Sequence, residues 1–165
     1  MNAPTTTTAP DPTPRLLLRS FGLTDQGRVR KDNQDQFLIA ELAKSMRVQQ
    51  SSVAQASTQY GDDRGHLLVV ADGMGGQAGG EHASALAVGS IEDFALNTLK
   101  WFFHQEGGEG QTVLGDLQAA LRRADAQVFA EAASHPELRG MGTTVTMAYV
   151  IGATLFVIHA GASRC

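Results

Sequence analysis

The stretch that most constrains the fold runs from His66 to Glu81. It begins with five apolar residues, Leu67 to Ala71, which is too short for a membrane span and suits a strand buried on both faces. The strand ends at Asp72, and five of the next eight residues are glycine. A carboxylate in this position is costly to desolvate unless a cation offsets its charge, and glycines let the backbone approach a ligand closely. The stretch therefore predicts a strand, a glycine turn and a helix around a metal or phosphate site.

The glycine turn is open to three interpretations. In the first, Asp72 is an oxygen ligand of a divalent cation, with a backbone carbonyl beside it. In the second, residues 73–78 match the dinucleotide fingerprint, and Glu92 lies near the expected distance of its acidic residue. That residue should end a second strand, whereas Glu92 falls in a helical pattern, and Asp72 would point a negative charge at a pyrophosphate. In the third, the turn only precedes a capped helix. We favour the cation interpretation.

The charge and the cysteine content argue against several classes of protein. The formal net charge is -4, which is unlike a general nucleic-acid binder or a protein that binds anionic membranes. No apolar run approaches the length of a transmembrane helix, and the first residues lack the order of a signal peptide. Cys165 is the only cysteine, so no internal disulfide can form. We therefore expect a cytoplasmic protein with no nucleic-acid or membrane partner.

The chain is long enough for one domain, because about 150 residues can bury about 70% of their unfolded surface. Residues 1–14 are rich in Thr, Ala and Pro, which predicts a disordered tail, and residues 15–165 form the expected domain. Residues 44–65 predict a variable connection or a weak hairpin. Amphipathic spacing predicts a helix from Glu81 to about Phe103 and a second helix that stops near Pro136. Apolar runs and turn signals predict strands at residues 15–24, 36–41, 66–71, 143–151 and 154–160.

A dense polar cluster, residues 28–35, leads directly into the strand at 36–41. Such a cluster is often only solvated surface, but its mixture of side chains favours a function. Arg30 offers a planar guanidinium suited to phosphate. Asp32, Gln34 and Asp35 offer hard oxygen ligands or partners for water bound to a metal.

Four motifs follow one another along the chain, at residues 24–35, 70–76, 140–144 and 159–164. In their order and spacing they resemble the N-terminal part of a metal-dependent serine/threonine protein phosphatase of type 2C in its bacterial form. The resemblance spans Arg15 to Cys165, and four ordered motifs are far more specific than the glycine turn alone.

The resemblance implies an α+β fold, a β-sandwich of two antiparallel sheets flanked by helices, present here only in part. It implies that Asp72 bridges two Mg²⁺ or Mn²⁺ ions and that the Gly73 carbonyl binds one of them. Asp35, with Gln34 beside it, would hold metal-bound water. Arg30 would bind the substrate phosphate, and a metal-activated water would attack phosphorus.

Three residues depart from the family pattern within these motifs. Gln34 stands where many members have Glu, a tolerable change if the side chain hydrogen-bonds water. Met74 stands where some eukaryotic members have a histidine proposed as general acid, so here water would protonate the leaving group. Ala162 stands where the family has an aspartate associated with a third, weaker metal site.

The leading hypothesis is therefore a phosphatase that hydrolyses phosphoserine and phosphothreonine in proteins modified by a serine/threonine kinase. The alternative is a non-catalytic, phosphatase-like module that binds phosphoproteins. The family supplies further metal-binding aspartates from a C-terminal portion that these residues do not contain. We accordingly expect a truncated, C-terminally incomplete form that is marginally folded and inactive by itself.

Overall fold

A long hairpin of two antiparallel strands, β1 (Asp35–Arg47) and β2 (Thr58–Met74), dominates the fold. The computed structural model describes residues 17–29, 31–53, 58–75, 79–98 and 109–163. An ion pair between Arg64 and Glu41 bridges the exposed part of the hairpin. Of the two interpretations of residues 44–65, a variable connection or a weak hairpin, the structure shows the hairpin, and both strands are longer than their apolar runs indicated.

The remaining strands extend the sheet from β2. The two longer ones are β4 (Val145–Ile151), which pairs antiparallel with β2, and β5 (Thr154–Ala160), which pairs antiparallel with β4. The two-residue strand β3 (Gly142–Thr143) pairs with the end of β2. The order is therefore β1-β2-β4-β5, with β3 beside β2. The predicted strands at 143–151 and 154–160 are confirmed, with a break at Thr144.

Two helices cover one face of this sheet. Helix α1 (Gly79–Asn97) lies on the β1–β2 hairpin, and helix α2 (Glu109–Ser134) packs against α1 and β5. A 3₁₀ turn, Pro136–Leu138, follows α2. Among the residues that the structure describes, no helix is long and apolar enough to cross a membrane.

The hydrophobic core lies between the helices and this face. Strands β2 and β4 contribute Leu67, Val69, Ala71, Met147 and Tyr149, each at most 1% exposed. The side chains alternate between the two faces of a strand, so the intervening residues point away from the helices. The helices contribute a matching apolar stripe that includes Ala83, Ala87, Ile91, Leu117, Ala120 and Ala124.

The opposite face of the sheet is apolar and partly exposed in the described part of the chain, with residues 21–25 lying beside Phe37 and Val70. Its side chains are between 39% and 59% exposed at Phe37, Ile39, Val70, Leu155 and Val157. The prediction that the strand at residues 67–71 is buried on both faces is therefore wrong for the described residues. The predicted α+β fold is confirmed, and one antiparallel sheet with its helical layer is the part of the sandwich that is present.

The predicted strand at residues 15–24 is also wrong within residues 17–24, which form no regular structure. A Cβ atom at Gly22 would lie 2.2 Å from the ring of Phe37, so this segment packs closely on that side chain. Side-chain packing takes the place of pairing with the free edge of β1. The predicted tail, residues 1–14, lies outside the described residues.

Tyr149 combines full burial with a hydroxyl that has no hydrogen-bond partner among the described residues. Burial raises the pKa of Tyr149 from 10.0 to about 12. Since the folded state retains this proton to a higher pH than the unfolded state, the contribution of Tyr149 to stability is constant below about pH 10 and is lost as the pH rises toward 12.

Tyr149→Phe should leave the free energy of unfolding at neutral pH unchanged or slightly raised, because it removes an unsatisfied hydroxyl. It should also abolish an alkaline loss of about 1.4 kcal/mol at pH 11, which is half of the full effect of a two-unit pKa shift. Urea unfolding of both proteins at neutral pH and at about pH 11 measures this difference. Equal alkaline losses in the two proteins would show that Tyr149 is not held neutral by the core.

Candidate metal centre

A polar cavity of about 210 Å³ lies at the end of the sheet where β1 begins and β2 ends. Four aspartates line it, with no Lys, Arg or His among its described lining residues, so its side chains favour a cation. The lining residues are Asp25, Gln26, Asp32, Asn33, Gln34, Asp35, Asp72 and Gly73.

The register of the β1–β2 hairpin creates this arrangement. Asp35, the first residue of β1, is directly opposite Asp72 in β2. Gln34 precedes Asp35 and Gly73 follows Asp72, so all four predicted metal-site residues line the same cavity. Their roles as ligands stay predictions. Arg30, the predicted phosphate-binding and catalytic residue, lies outside the described residues.

Two glycines bring the first turn of α1 directly against the cavity. A Cβ atom at Gly73 would lie 1.9 Å from the carbonyl oxygen of Gly80, and one at Gly80 would lie 2.6 Å from Gln34 Oε1. Real Cβ atoms do not approach backbone atoms as closely as 1.9 Å, so the contact requires glycine at position 73, whereas a Cβ atom at position 80 would displace the Gln34 side chain. The glycine-rich sequence after Asp72 is therefore explained in part by packing between β2 and α1.

The backbone of Gln34 is fixed by β2 and by α1. The Gly73 amide donates a hydrogen bond of 3.0 Å to the Gln34 carbonyl. The Ser84 hydroxyl donates to the same carbonyl at 2.7 Å, and Ser84 is fully buried. Sequence reasoning missed Ser84. Its signal was a serine next to Ala83 on the apolar face of the helix, where a buried hydroxyl needs a partner.

The backbone of Asp72 is fixed from the other side by the segment that connects β3 and β4. Its carbonyl accepts hydrogen bonds from the Thr144 amide at 2.8 Å and from the Thr143 hydroxyl at 3.0 Å. The sequence marked residues 140–144 as a motif but assigned them no role. The structure places both threonines in direct contact with the predicted metal ligand.

The types of oxygen atom around the cavity are those that bind a hard divalent cation. Carboxylate, amide and backbone carbonyl oxygens are the ligands that Mg²⁺ takes in proteins, and Asp35, Asp72, Gln34 and Gly73 present these types around one cavity. Within the described ranges, however, no three His, Cys, Asp or Glu side chains form a group that could hold a metal ion. Asp35 and Asp72 would therefore supply only part of a coordination shell.

The dinucleotide interpretation does not fit the topology. The fingerprint belongs to a unit in which a helix connects two parallel strands, whereas β2 pairs antiparallel with β1 and with β4. Glu92 lies within α1 and is exposed, so it does not end a second strand.

The two other departures from the family pattern lie near this end of the sheet. Met74 is the last residue of β2 and is 59% exposed. Ala162 follows β5 and is exposed. Neither side chain lines the polar cavity.

Gly73→Ala should destabilise the protein by about 3 kcal/mol, because backbone atoms of α1 would have to move to admit a methyl group. Gly89→Ala is the matched control. It lies in α1 with nothing within 4 Å of the added Cβ atom, and it should raise stability by up to about 1 kcal/mol. Urea unfolding measures both changes. Equal effects of the two substitutions would show that the contact between Gly73 and Gly80 is not tight.

Comparison with known proteins assigns the family. A family model described as Protein phosphatase 2C matches residues 45–165. The serine/threonine protein phosphatase PstP of Mycobacterium tuberculosis is 32% identical over 150 residues, which are 90% of this chain and 22% of PstP.

Two solved structures are also similar. The serine/threonine phosphatase of S. agalactiae is 22% identical with a TM-score of 0.56, over 86% of this chain and 48% of that one. The catalytic domain of PstP in complex with two manganese ions is 30% identical with a TM-score of 0.48, over 78% of this chain and 50% of that one. The chain thus spans half or less of each of these proteins. The family model nevertheless covers well over half of the chain. The chain therefore belongs to the protein phosphatase 2C family.

Proposed function

We propose that this chain contributes one side of the active site of a metal-dependent phosphatase that hydrolyses phosphoserine and phosphothreonine in proteins. The observation that supports this most is the register that places Asp35 opposite Asp72 at a cavity lined by four aspartates. PstP, a relative, is a serine/threonine protein phosphatase. The chain spans only 22% of PstP, so the activity of the whole protein is part of the proposal.

The proposed cofactor is a pair of Mn²⁺ or Mg²⁺ ions. Asp72 would bridge them and the Gly73 carbonyl would contact one, with Asp35 and Gln34 binding water nearby. When bound, such ions lower the pKa of water and stabilise charge on phosphoryl oxygens.

The chain's own residues would orient the reactants. Asp35 and Gln34 would accept or donate hydrogen bonds that fix a water in the cavity. The Gln34 amide lies 3.5 Å from the Gly75 carbonyl, which ties this side chain to the glycine turn. Arg30 would bind the phosphate through two parallel hydrogen bonds. Met74 cannot donate a proton, so water would protonate the leaving group.

The second candidate is a module that binds phosphoproteins without hydrolysing them. It is favoured by the sparse ligand set, since no group of three metal-binding side chains occurs within the described ranges. Both candidates imply partner proteins that a kinase has phosphorylated. We propose a cytoplasmic location for both on the basis of composition. Manganese-dependent hydrolysis of p-nitrophenyl phosphate separates them, because only the enzyme turns over this substrate.

Asp72→Asn should abolish manganese-dependent hydrolysis by the natural protein, purified from its own cells. In the 165-residue chain it should also weaken Mn²⁺ binding. The loss should exceed the roughly 10- to 100-fold loss of affinity that follows when a residue hydrogen-bonded to a metal ligand is removed. The substitution keeps the shape and removes the charge. Asp116→Asn in α2 removes the same charge away from the cavity and should change neither property. Wild-type turnover by Asp72→Asn would refute the assignment of the metal site.

Arg30→Lys should impair hydrolysis nearly as much as Arg30→Ala, because lysine cannot form two parallel hydrogen bonds to phosphate. Steady-state kinetics with a phosphopeptide measure the loss. Arg28→Ala is the comparison, since Arg28 lies two residues away in an exposed turn. Full activity in Arg30→Lys, or a larger loss in Arg28→Ala, would mean that Arg30 is not the phosphate ligand.

A further inference from the structure

The sheet ladder is interrupted opposite Asp72. On one side of the interruption Val70 pairs with Thr146, and on the other Gly73 pairs with Thr143. No residue is inserted or lost between these pairs, so Thr144 is the partner of Asp72 by register. The residue proposed to bridge the metals therefore lies where regular backbone pairing stops.

A side chain replaces a backbone group at this interruption. The Thr144 amide donates to the Asp72 carbonyl at 2.8 Å. In a regular hydrogen-bonded antiparallel pair, the Asp72 amide would donate in return to the Thr144 carbonyl. Here it donates to the Thr144 hydroxyl at 3.3 Å, and the Thr144 carbonyl lies 2.9 Å from the Thr143 hydroxyl. The position of the Asp72 backbone thus depends on how the Thr144 side chain is oriented.

A second contact fixes that orientation. The hydroxyls of Thr144 and Ser163 are 2.7 Å apart and share a hydrogen bond. Ser163 is brought there by the turn after β5, where Gly161 has a φ of 93°. A Cβ atom at Gly161 would lie 2.9 Å from Thr144 Cγ2, so the turn packs directly on Thr144. Hydrogen bonding and packing together hold the Thr144 hydroxyl toward the Asp72 amide.

We propose that Thr144 and Ser163 are positioning residues that set the backbone at Asp72 and so aim its carboxylate into the cavity. The part of this proposal that concerns the cation rests on the proposed function. Hydrogen-bonded partners behind a metal ligand commonly fix its direction, and their loss typically costs 10- to 100-fold in metal affinity.

The test compares variants of the 165-residue chain by calorimetric titration with Mn²⁺. Thr144→Val keeps the shape but removes the hydroxyl, and it should weaken Mn²⁺ binding about 10- to 100-fold. Thr144→Ser keeps the hydroxyl and should restore wild-type affinity. Ser163→Ala should weaken binding less than Thr144→Val, since the bond between Asp72 and Thr144 remains.

Thr146→Val is the matched control. Thr146 lies two residues further along, and its buried hydroxyl has no hydrogen-bond partner among the described residues. Its removal should leave Mn²⁺ affinity unchanged. A folded Thr144→Val protein with wild-type affinity, or a Thr144→Ser protein as weak as Thr144→Val, would overturn the proposal.

Hydrogen exchange of the Asp72 amide, measured by NMR without metal, separates this proposal from the proposed function. A wild-type chain that binds no Mn²⁺ would show that these residues alone do not form the proposed cation site. Hydrogen exchange of the Asp72 amide then tests only whether Thr144 positions the Asp72 backbone. Faster exchange in Thr144→Val would support this role, and unchanged exchange would refute it. If Thr144→Val does not fold, Ser163→Ala decides by the same two measurements, and wild-type values in both would overturn the proposal.

Discussion

The antiparallel pairing of β1 with β2 is the interaction on which the rest of the structure depends. Its register places Asp35 opposite Asp72 and so gathers carboxylates from distant parts of the sequence. The same strand, β2, gives one face to α1 and the core, with Leu67 and Val69 each 1% exposed. A shift of one residue would exchange the two faces and remove both the core and the cavity.

Packing and chemistry use the same few atoms at the end of β2. Gly73 lines the cavity, donates to the Gln34 carbonyl and contacts the first turn of α1. Asp72 is flanked by hydrogen bonds to Thr143 and Thr144. Three separate segments therefore fix two consecutive residues, which is the kind of support that a precisely placed metal ligand requires.

Alternation and turn residues were sufficient to predict β4 and β5, because Gly152 separates two runs of strand-forming residues. They failed for residues 17–24, where packing on Phe37 replaces strand pairing. The strand lengths predicted for β1 and β2 were also too short. The polar half of the hairpin is held by backbone pairing, which leaves no apolar pattern in the sequence.

The cavity residues were predictable from the family motifs, but the hydrogen bonds that hold their backbone in place were not. Ser84 and Thr144 act through hydroxyls whose partners depend on helix packing and strand register. Neither relation is visible in the local sequence. The exposed apolar face at Phe37 and Val70 was not predicted from the apolar pattern, because a continuous apolar run indicates burial on both faces even where helices pack on only one.

The central claim is that Asp35 and Asp72 form one cation site. Titration of the isotope-labelled chain with Mn²⁺ tests it directly, because the ion broadens the NMR signals of nearby backbone amides. We predict that the amides of Gln34, Asp35, Asp72 and Gly73 broaden first, and that this selectivity disappears in Asp72→Asn. Broadening centred on another part of the chain, or the same pattern in Asp72→Asn, would contradict the account.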